Sequence, residues 1–367
     1  MDINDEALLR LLRIAFGEDS NFGFSKNVDW NVVFDNSLQH GLVAVAVDGI
    51  NKCRAMSQTA PFVLDLPEWE DLKYKWLGYS MCFEHDYKKQ VTKVLQLARI
   101  FADNNMKMLL LKGIGLSLYY PNASYRPKGD IDIYMLGNDR GKSERADALV
   151  VKILGVKVTK SKIGHHSHFS FNDTLVENHY ELSNTYFGKA TSKYLEQQLQ
   201  QFANADYRQQ GHVCLPSPNF NALFLIWHMA THFCIEKISL RQLCDWMLFL
   251  RKEHSRIDWP LIEEIWQKAG LKQFAYVMTG VSVAYLGLDD NLAPHSAQNT
   301  ELEQKVMDDI LNGSKRSSSM VGRVIRYFTQ GWKYKLATGH HWIYSMQGSL
   351  KMHLFHRDDL VEKTIFE

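Results

Sequence analysis

Cysteine is scarce in this chain: its 367 residues include only five, widely spaced and without a Cys-x-x-Cys pair. An odd number of scattered cysteines argues against a disulfide framework, and the absence of paired spacing argues against a structural zinc site. Cys234 and Cys244 lie in apolar helical segments. We therefore expect both to be buried free thiols.

Long apolar runs and an excess of one charge are missing too. No run approaches the roughly 18 apolar residues needed to cross a bilayer. The first 20 residues mix acids and arginines with leucines, unlike a signal peptide. The formal net charge of +1 excludes a global field that would attract nucleic acid or an anionic membrane. These absences predict a cytoplasmic protein without a membrane partner.

The spacing of the apolar residues changes along the chain. Two long stretches show helical spacing, and the short apolar or alternating runs between them are typical of strands. This pattern predicts an α+β fold, in which a small mixed sheet is flanked by N-terminal and C-terminal helical regions. The predicted divisions are an N-terminal helical region at 1–105, a core sheet at 106–186, a C-terminal helical region at 187–300 and a basic, aromatic and helical tail at 301–367.

Four strands are predicted within the core sheet, from apolar runs and from alternation between apolar and polar residues. Short helices are expected after the first strand and again at residues 143–154. No strand is predicted beyond residue 186. The four predicted strands span residues 106–111, 129–136, 166–171 and 174–181.

The second of these strands carries two acids in alternate positions, within GDIDIYML. Alternate side chains of a strand share one face, so Asp130 and Asp132 point the same way while Ile131 and Ile133 point into the core. Their Cα atoms would lie about 6.5 Å apart. Two carboxylates at this spacing suit one or two hard cations, and a solvated strand face is the plainer alternative.

A third acid lies on the last predicted strand, where Glu177, His179 and Glu181 share a face. If that strand lies beside the acidic one, Glu177 joins Asp130 and Asp132. Three carboxylates are enough for two-metal phosphoryl chemistry. This grouping depends on strand pairing and is a hypothesis at the level of sequence.

Candidate phosphate-binding groups lie close to the acidic strand. Lys112 and Gly113 end the first strand and open a short helix, where backbone N–H groups can bind an anion. Arg126 precedes the acidic strand and can bind phosphate or pair with Asp130. His166 and His168, in GHHSHF, share a strand face and fit a rim of the site or an exposed edge strand.

Two apolar helical segments carry four further candidates. His228 and His232 are four residues apart, a spacing that can bind a metal, but the segment lacks the glutamate of a zinc protease helix. We expect His228 to be packed in the core. Arg241 and Asp245 are also four apart, so they either form an intrahelical ion pair or present Arg241 to a nucleotide, with Asp245 holding it.

The run LLLKGIGLSLYYPNASYRPKGDIDIYM resembles the uncharacterised nucleotidyltransferase family of the polymerase-beta-like superfamily. The resemblance includes Glu177 just before His179, and a helical histidine followed by arginine and aspartate, here His232, Arg241 and Asp245. It implies a nucleotidyltransferase-type sheet with Asp130 and Asp132 as metal ligands. The superfamily's usual Gly-Ser pair is replaced here by Gly113-Ile114.

The sequence therefore predicts a metal-dependent nucleotidyltransferase that moves a nucleoside monophosphate from a nucleoside triphosphate to an unknown acceptor: a small molecule, a protein or an RNA. Mg²⁺ or Mn²⁺ is the expected cofactor. The alternatives are a non-catalytic nucleotide-binding or protein-interaction module on the same fold, and a phosphotransferase. The predicted catalytic residues and metal ligands are Asp130, Asp132 and Glu177, and the predicted nucleotide-binding residues are Lys112, Gly113, Arg126, His232 and Arg241.

Overall fold

A computed structural model describes most of the chain. The residues it describes are 1–20, 23–56, 69–137, 141–160, 165–184, 187–235, 237–292, 300–312 and 330–339. Within these residues the fold is α+β, as predicted, with a single seven-stranded mixed sheet among helices. The strands are β1 (Met108–Leu110), β2 (Ile131–Met135), β3 (Thr159–Lys160), β4 (His166–Phe171), β5 (Thr174–His179), β6 (Tyr207–Gln210) and β7 (Val213–Pro216).

Helices precede and follow the sheet, in accord with the two predicted helical regions. The long α4 confirms the amphipathic pattern predicted around residues 91–101. In the described part of the chain the helices are α1 (Ile3–Phe16), α2 (Trp30–Gln39), α3 (Val43–Met56), α4 (Trp69–Asp103), α5 (Ile114–Ser117), α6 (Lys142–Leu154), α7 (Lys189–Ala205), α8 (Pro218–Ile235), α9 (Leu240–Glu253), α10 (Trp259–Ala269), α11 (Lys272–Leu286), α12 (Thr300–Asn312) and α13 (Gly331–Thr338).

The strand order is β3-β4-β5-β2-β1-β7-β6. β2 lies at the centre, antiparallel to β1 and parallel to β5. This pairing places the two acidic strands of the sequence analysis side by side. The condition on which the grouping of Glu177 with Asp132 depended is therefore met.

The two faces of the sheet meet different helices. Ile131 and Ile133 point to one face, where they join a buried cluster with residues of α4 and α6. That finding confirms their predicted direction. The opposite face contributes Leu109 and Tyr134 to the larger core formed with the remaining helices. Asp132, which alternates with both isoleucines, lies on this second face.

Two strands of the sheet come from a region in which only helices were predicted. β6 and β7 form an antiparallel hairpin at residues 207–216, and β7 pairs in parallel with β1. The polar strand β6 lacks apolar alternation, being exposed at the sheet edge, so the pattern there carries no strand signal. The short β3 was not predicted either, for the same reason.

The remaining predictions concern the cysteines, the C-terminal tail and the absence of a membrane span. Cys234 and Cys244 are buried free thiols, as expected. Helices α12 and α13 lie within the predicted tail, whereas its basic segment at 313–329 and the stretch 340–367 fall outside the described residues. Among the residues that are described, no helix is both long and apolar enough to cross a membrane.

Candidate functional site

The centre of the site is a cluster of two acids and a histidine on adjacent strands. The register of β2 and β5 sets Asp132 directly opposite Glu177. Both carboxylates are buried, at 2% and 7% exposure. His179 follows on β5, and its Nε2 lies 3.0 Å from Oδ1 of Asp132 and 3.5 Å from Oε2 of Glu177. One ligand atom from each residue lies within 4.8 Å of the other two.

The charges in this cluster stabilise one another. Burial acts to lower the pKa of His179, but its hydrogen bonds to Asp132 and Glu177 outweigh that effect and raise the pKa to about 9. Burial acts to raise the pKa of Glu177, but the hydrogen bond from His179 holds it well below the usual range. Two carboxylates and an imidazolium thus coexist in a buried position.

Lys112 brings a second cation to the same place. The backbone N–H of Leu111 donates to the carbonyl of Asp132 at 3.0 Å, which extends the β1–β2 pairing and sets the next residue beside the carboxylate. Nζ of Lys112 lies 3.2 Å from Oδ1 of Asp132. The predicted Lys-Gly turn therefore reaches the acidic strand directly.

Gly113 makes that turn possible. Its φ of 63° and ψ of −118° lie outside the conformations open to most residues, and it caps the short helix α5. A Cβ atom at this position would lie 3.3 Å from the carbonyl oxygen of Asp130. The close approach of the two segments is thus tied to glycine.

Asp130, the other predicted carboxylate of the acidic strand, lies beside the cluster. It is half-buried just before β2 and lies outside the compact Asp132, Glu177 and His179 cluster. It does line the same cavity as Asp132. His179 was not predicted as a site residue. The alternation along its strand places it on the face of Glu177, but its contact with Asp132 depends on the pairing of β2 with β5.

A cavity of about 210 Å³ opens between the sheet and helices α8 and α9. Glu177, one strand further along the sheet, is absent from its lining. The remaining predicted residues all line it, namely Lys112, Gly113, Arg126, Asp130, Asp132, His232 and Arg241.

The helical wall of this cavity is rich in nitrogen. Nζ of Lys112 donates to Nε2 of His228 at 3.2 Å, and Nε2 of His232 lies 3.1 Å from the same atom. Burial and the nearby Lys112 hold the pKa of His228 well below its usual value, so the ring is neutral and can accept. The prediction that His228 packs in the core was wrong: it is half-buried and lines the cavity, because α8 turns this face toward the sheet.

Arg126 and Asp245 form a buried pair in the cavity wall. Nε and Nη2 of Arg126 donate to the two carboxylate oxygens at 2.8 and 2.9 Å, and the hydroxyl of Tyr120 donates to Oδ1 at 2.9 Å. Asp245 thus pairs with Arg126 and not with its helical neighbour Arg241. Arg126 in turn pairs with Asp245 and not with Asp130, the partner considered for it from the sequence. The pair links the segment that precedes β2 to α9, across a sequence separation of 119 residues.

The donor set of the cluster fits a divalent cation. Two carboxylates offer the oxygen ligands that Mg²⁺ and Mn²⁺ take, and the His179 ring, on losing its proton to become neutral, is a common ligand of transition metals. Asp132, Glu177 and His179 are held rigidly by adjacent strands at a mutual separation that one ion can bridge. The site is thus compatible with the expected metal, although its third member is a histidine and not Asp130.

Comparison with known proteins agrees with this geometry. A family model described as an uncharacterised nucleotidyltransferase matches residues 26–287, most of the chain and all seven strands. The resemblance inferred from the sequence is thereby confirmed. Neither the curated proteins nor the solved structures yield a match.

Proposed function

The chain belongs to the uncharacterised nucleotidyltransferase family, and from this premise we propose that it transfers a nucleoside monophosphate from a nucleoside triphosphate to an acceptor hydroxyl or phosphate. The acceptor oxygen bonds to the α-phosphorus as the bond to the departing pyrophosphate breaks. The observation that carries the proposal is the pairing of Asp132 with Glu177 across β2 and β5, at the edge of a cavity lined by cationic side chains.

In this proposal Asp130, Asp132 and Glu177 are the catalytic carboxylates, and Asp132, Glu177 and His179 are the best-placed metal ligands. A bound Mg²⁺ or Mn²⁺ would neutralise phosphate charge and lower the pKa of the attacking oxygen. Lys112 donates to Asp132 in the protein alone and lies where it can turn to a phosphate oxygen. Phosphoryl transfer of this kind relies mainly on positioning and charge stabilisation.

The nucleotide side of the proposed site is the cavity wall. Lys112, Gly113, His232 and Arg241 are its proposed binding residues. Arg126 was predicted to bind the nucleotide as well. Its bidentate pair with Asp245 supports a positioning role, in which Arg126 holds α9 against the segment that precedes β2.

The first test is thermal unfolding with Mg²⁺ or Mn²⁺ and each nucleoside triphosphate. A ligand at a hundred times its Kd adds about 2.7 kcal/mol to the free energy of unfolding, a rise of a few degrees in Tm. We expect a metal-dependent rise in the wild type that is lost in Asp132→Asn/Glu177→Gln. Glu264→Gln, an exposed carboxylate in a surface ion pair, is the matched control and should retain it.

Product analysis then separates nucleotidyl transfer from phosphotransfer, since release of pyrophosphate supports the first and release of nucleoside diphosphate the second. A wild type that shows no Tm rise with any metal and nucleotide would instead favour a non-catalytic module, an alternative motivated by Gly113-Ile114 in place of Gly-Ser. The acceptor remains to be identified among small molecules, proteins and RNA, and a cytoplasmic location stays a prediction.

A further inference from the structure

Arg241 is a half-buried cation that the protein itself leaves incompletely satisfied. It stands in the first turn of α9, where the side chain of Gln242 accepts from the N–H of Ser239 at 2.7 Å and fixes the start of the helix. Its Nε is buried and has no hydrogen-bond partner. Burial, and next the charge of Arg126, lower the pKa of Arg241. A guanidinium whose Nε is withdrawn from water without a hydrogen-bond partner is costly, so this position favours an anionic guest.

The natural internal counter-ion is already committed. Asp245 lies one helical turn from Arg241, but both of its oxygens accept from Arg126, and Oδ1 also accepts from Tyr120. On its other side the Arg241 guanidinium faces Gly41, where a Cβ atom would lie 3.7 Å from Nη1. The remaining direction is the cavity, which Arg241 lines.

The cavity lining carries acids and cations, and of the acids Asp245 is already paired with Arg126. Asp130 and Asp132 line its sheet end, while Arg241, on α9, lies on the helical wall. Lys112 stands beside Asp132 and begins the row of nitrogens that continues through α8. A single oxyanion placed against Arg241 leaves the remaining nitrogens of the wall unused, whereas a chain of linked phosphates can contact Arg241 and Lys112 together.

We propose that this cavity is a polyphosphate site, anchored by Arg241, that binds inorganic tripolyphosphate or pyrophosphate without a metal ion. In nucleotidyl transfer the β- and γ-phosphates leave as pyrophosphate. The choice of this occupant therefore rests on the proposed function. It assigns the β- and γ-phosphates to the α8–α9 wall and leaves the transferred phosphate at the Asp132 and Glu177 end.

Isothermal titration with inorganic tripolyphosphate in excess EDTA tests the site directly. The wild type should bind, and Arg241→Met should weaken binding roughly tenfold or more, as expected for the loss of a charge-assisted hydrogen bond. Arg208→Met, at an exposed arginine on β6, is the control and should bind like the wild type. No metal-free binding by the wild type, or equal binding by Arg241→Met, overturns the proposal. So does sulfate binding as tight as that of tripolyphosphate.

The stability of the ligand-free protein supplies a second readout that a merely structural arginine would not give. Methionine replaces the aliphatic stem of the side chain and removes the incompletely paired charge, so Arg241→Met should raise the Tm of the ligand-free protein while reducing the rise produced by tripolyphosphate. A lower Tm or failure to fold would show that Arg241 supports the fold, and would overturn the assignment.

Failure of this inference and failure of the proposed function give different results. Asp132→Asn/Glu177→Gln removes the two carboxylate metal ligands but leaves Arg241, so the double variant should still bind tripolyphosphate in EDTA. If the wild type gains stability from metal and nucleoside triphosphate yet ignores metal-free tripolyphosphate, the polyphosphate site falls and the transferase stands. If tripolyphosphate binds but no nucleotide shows a metal-dependent effect, the polyphosphate site stands and the proposed transferase falls.

Discussion

His40 is a buried histidine whose protonation the fold opposes. Its side chain is almost fully enclosed, at 4% exposure, and its Nδ1 accepts from the backbone N–H of Leu240 at 3.2 Å. Burial, assisted by the charge of Lys237, lowers the pKa of His40 to about 3. The neutral ring thus joins the loop after α2 to the first residue of α9.

This lowered pKa predicts a pH dependence of stability. The unfolded chain binds a proton at His40 below about pH 6.5, whereas the folded protein resists protonation down to about pH 3. The contribution of the neutral ring is therefore complete above pH 6.5 and is lost as the pH falls toward 3, at up to about 1.4 kcal/mol per pH unit. Urea unfolding between pH 6.5 and 4 should show a shallower loss of stability in His40→Asn than in the wild type. The control His212→Asn, at an exposed position, should leave the dependence of unfolding free energy on pH unchanged. The same unchanged dependence in His40→Asn would show that His40 does not resist protonation.

The identity of single site residues was predictable only where local alternation decided it. Asp132 could be chosen because period-two patterning separates it from the flanking isoleucines of its strand, and Glu177 because the same period places it on one face with His179. The roles of His179 and His228 could not, since each depends on an atom contributed from another element. The Arg126–Asp245 pair, 119 residues apart, left no local signal.

At the scale of elements, the β1–α5 turn carries the lysine of the site and needs glycine. Gly113→Ala forces a Cβ atom into a positive-φ conformation 3.3 Å from the Asp130 carbonyl oxygen. We expect a loss of about 1–3 kcal/mol in the free energy of unfolding, measured by urea denaturation. Gly78→Ala on the exposed face of α4, where a Cβ atom meets nothing within 4 Å, should instead stabilise by roughly 0.5–1 kcal/mol. A neutral Gly113→Ala would contradict this account of the turn.

The elements themselves were predictable to the extent that burial imposes a pattern on them. The central strands β1, β2 and β5 are enclosed and show apolar or alternating sequences, and all three were anticipated. β6 lies at the sheet edge with an exposed YRQQ sequence, so nothing in its side chains marks it as a strand. Its partner β7 is apolar but only four residues long, and short apolar runs do not distinguish a strand from a helix.

At the scale of the whole molecule, the helices after residue 287 lie beyond the family match and are attached to it by packing and charge. α13 packs against α8 and α11. Lys333 on α13 is 1% exposed, ion-pairs with Asp309 of α12 and lies 4.8 Å above the ring of Phe233 on α8. The backbone of Gly270 approaches the Thr338 carbonyl so closely that a Cβ atom there would clash.

The Lys333–Asp309 pair predicts how the C-terminal helices depend on charge balance. Lys333→Met leaves Asp309, whose side chain is 10% exposed, without its paired cation, and should cost about 3–5 kcal/mol of unfolding free energy. Asp309→Asn combined with Lys333→Met removes both charges and should recover much of that loss, because a neutral apolar side chain of similar length can fill the site beside Phe233. Urea denaturation of the two single variants and the double variant closes a mutant cycle. Additive losses would mean that the pair contributes no coupling, and that α13 is held by its apolar contacts alone.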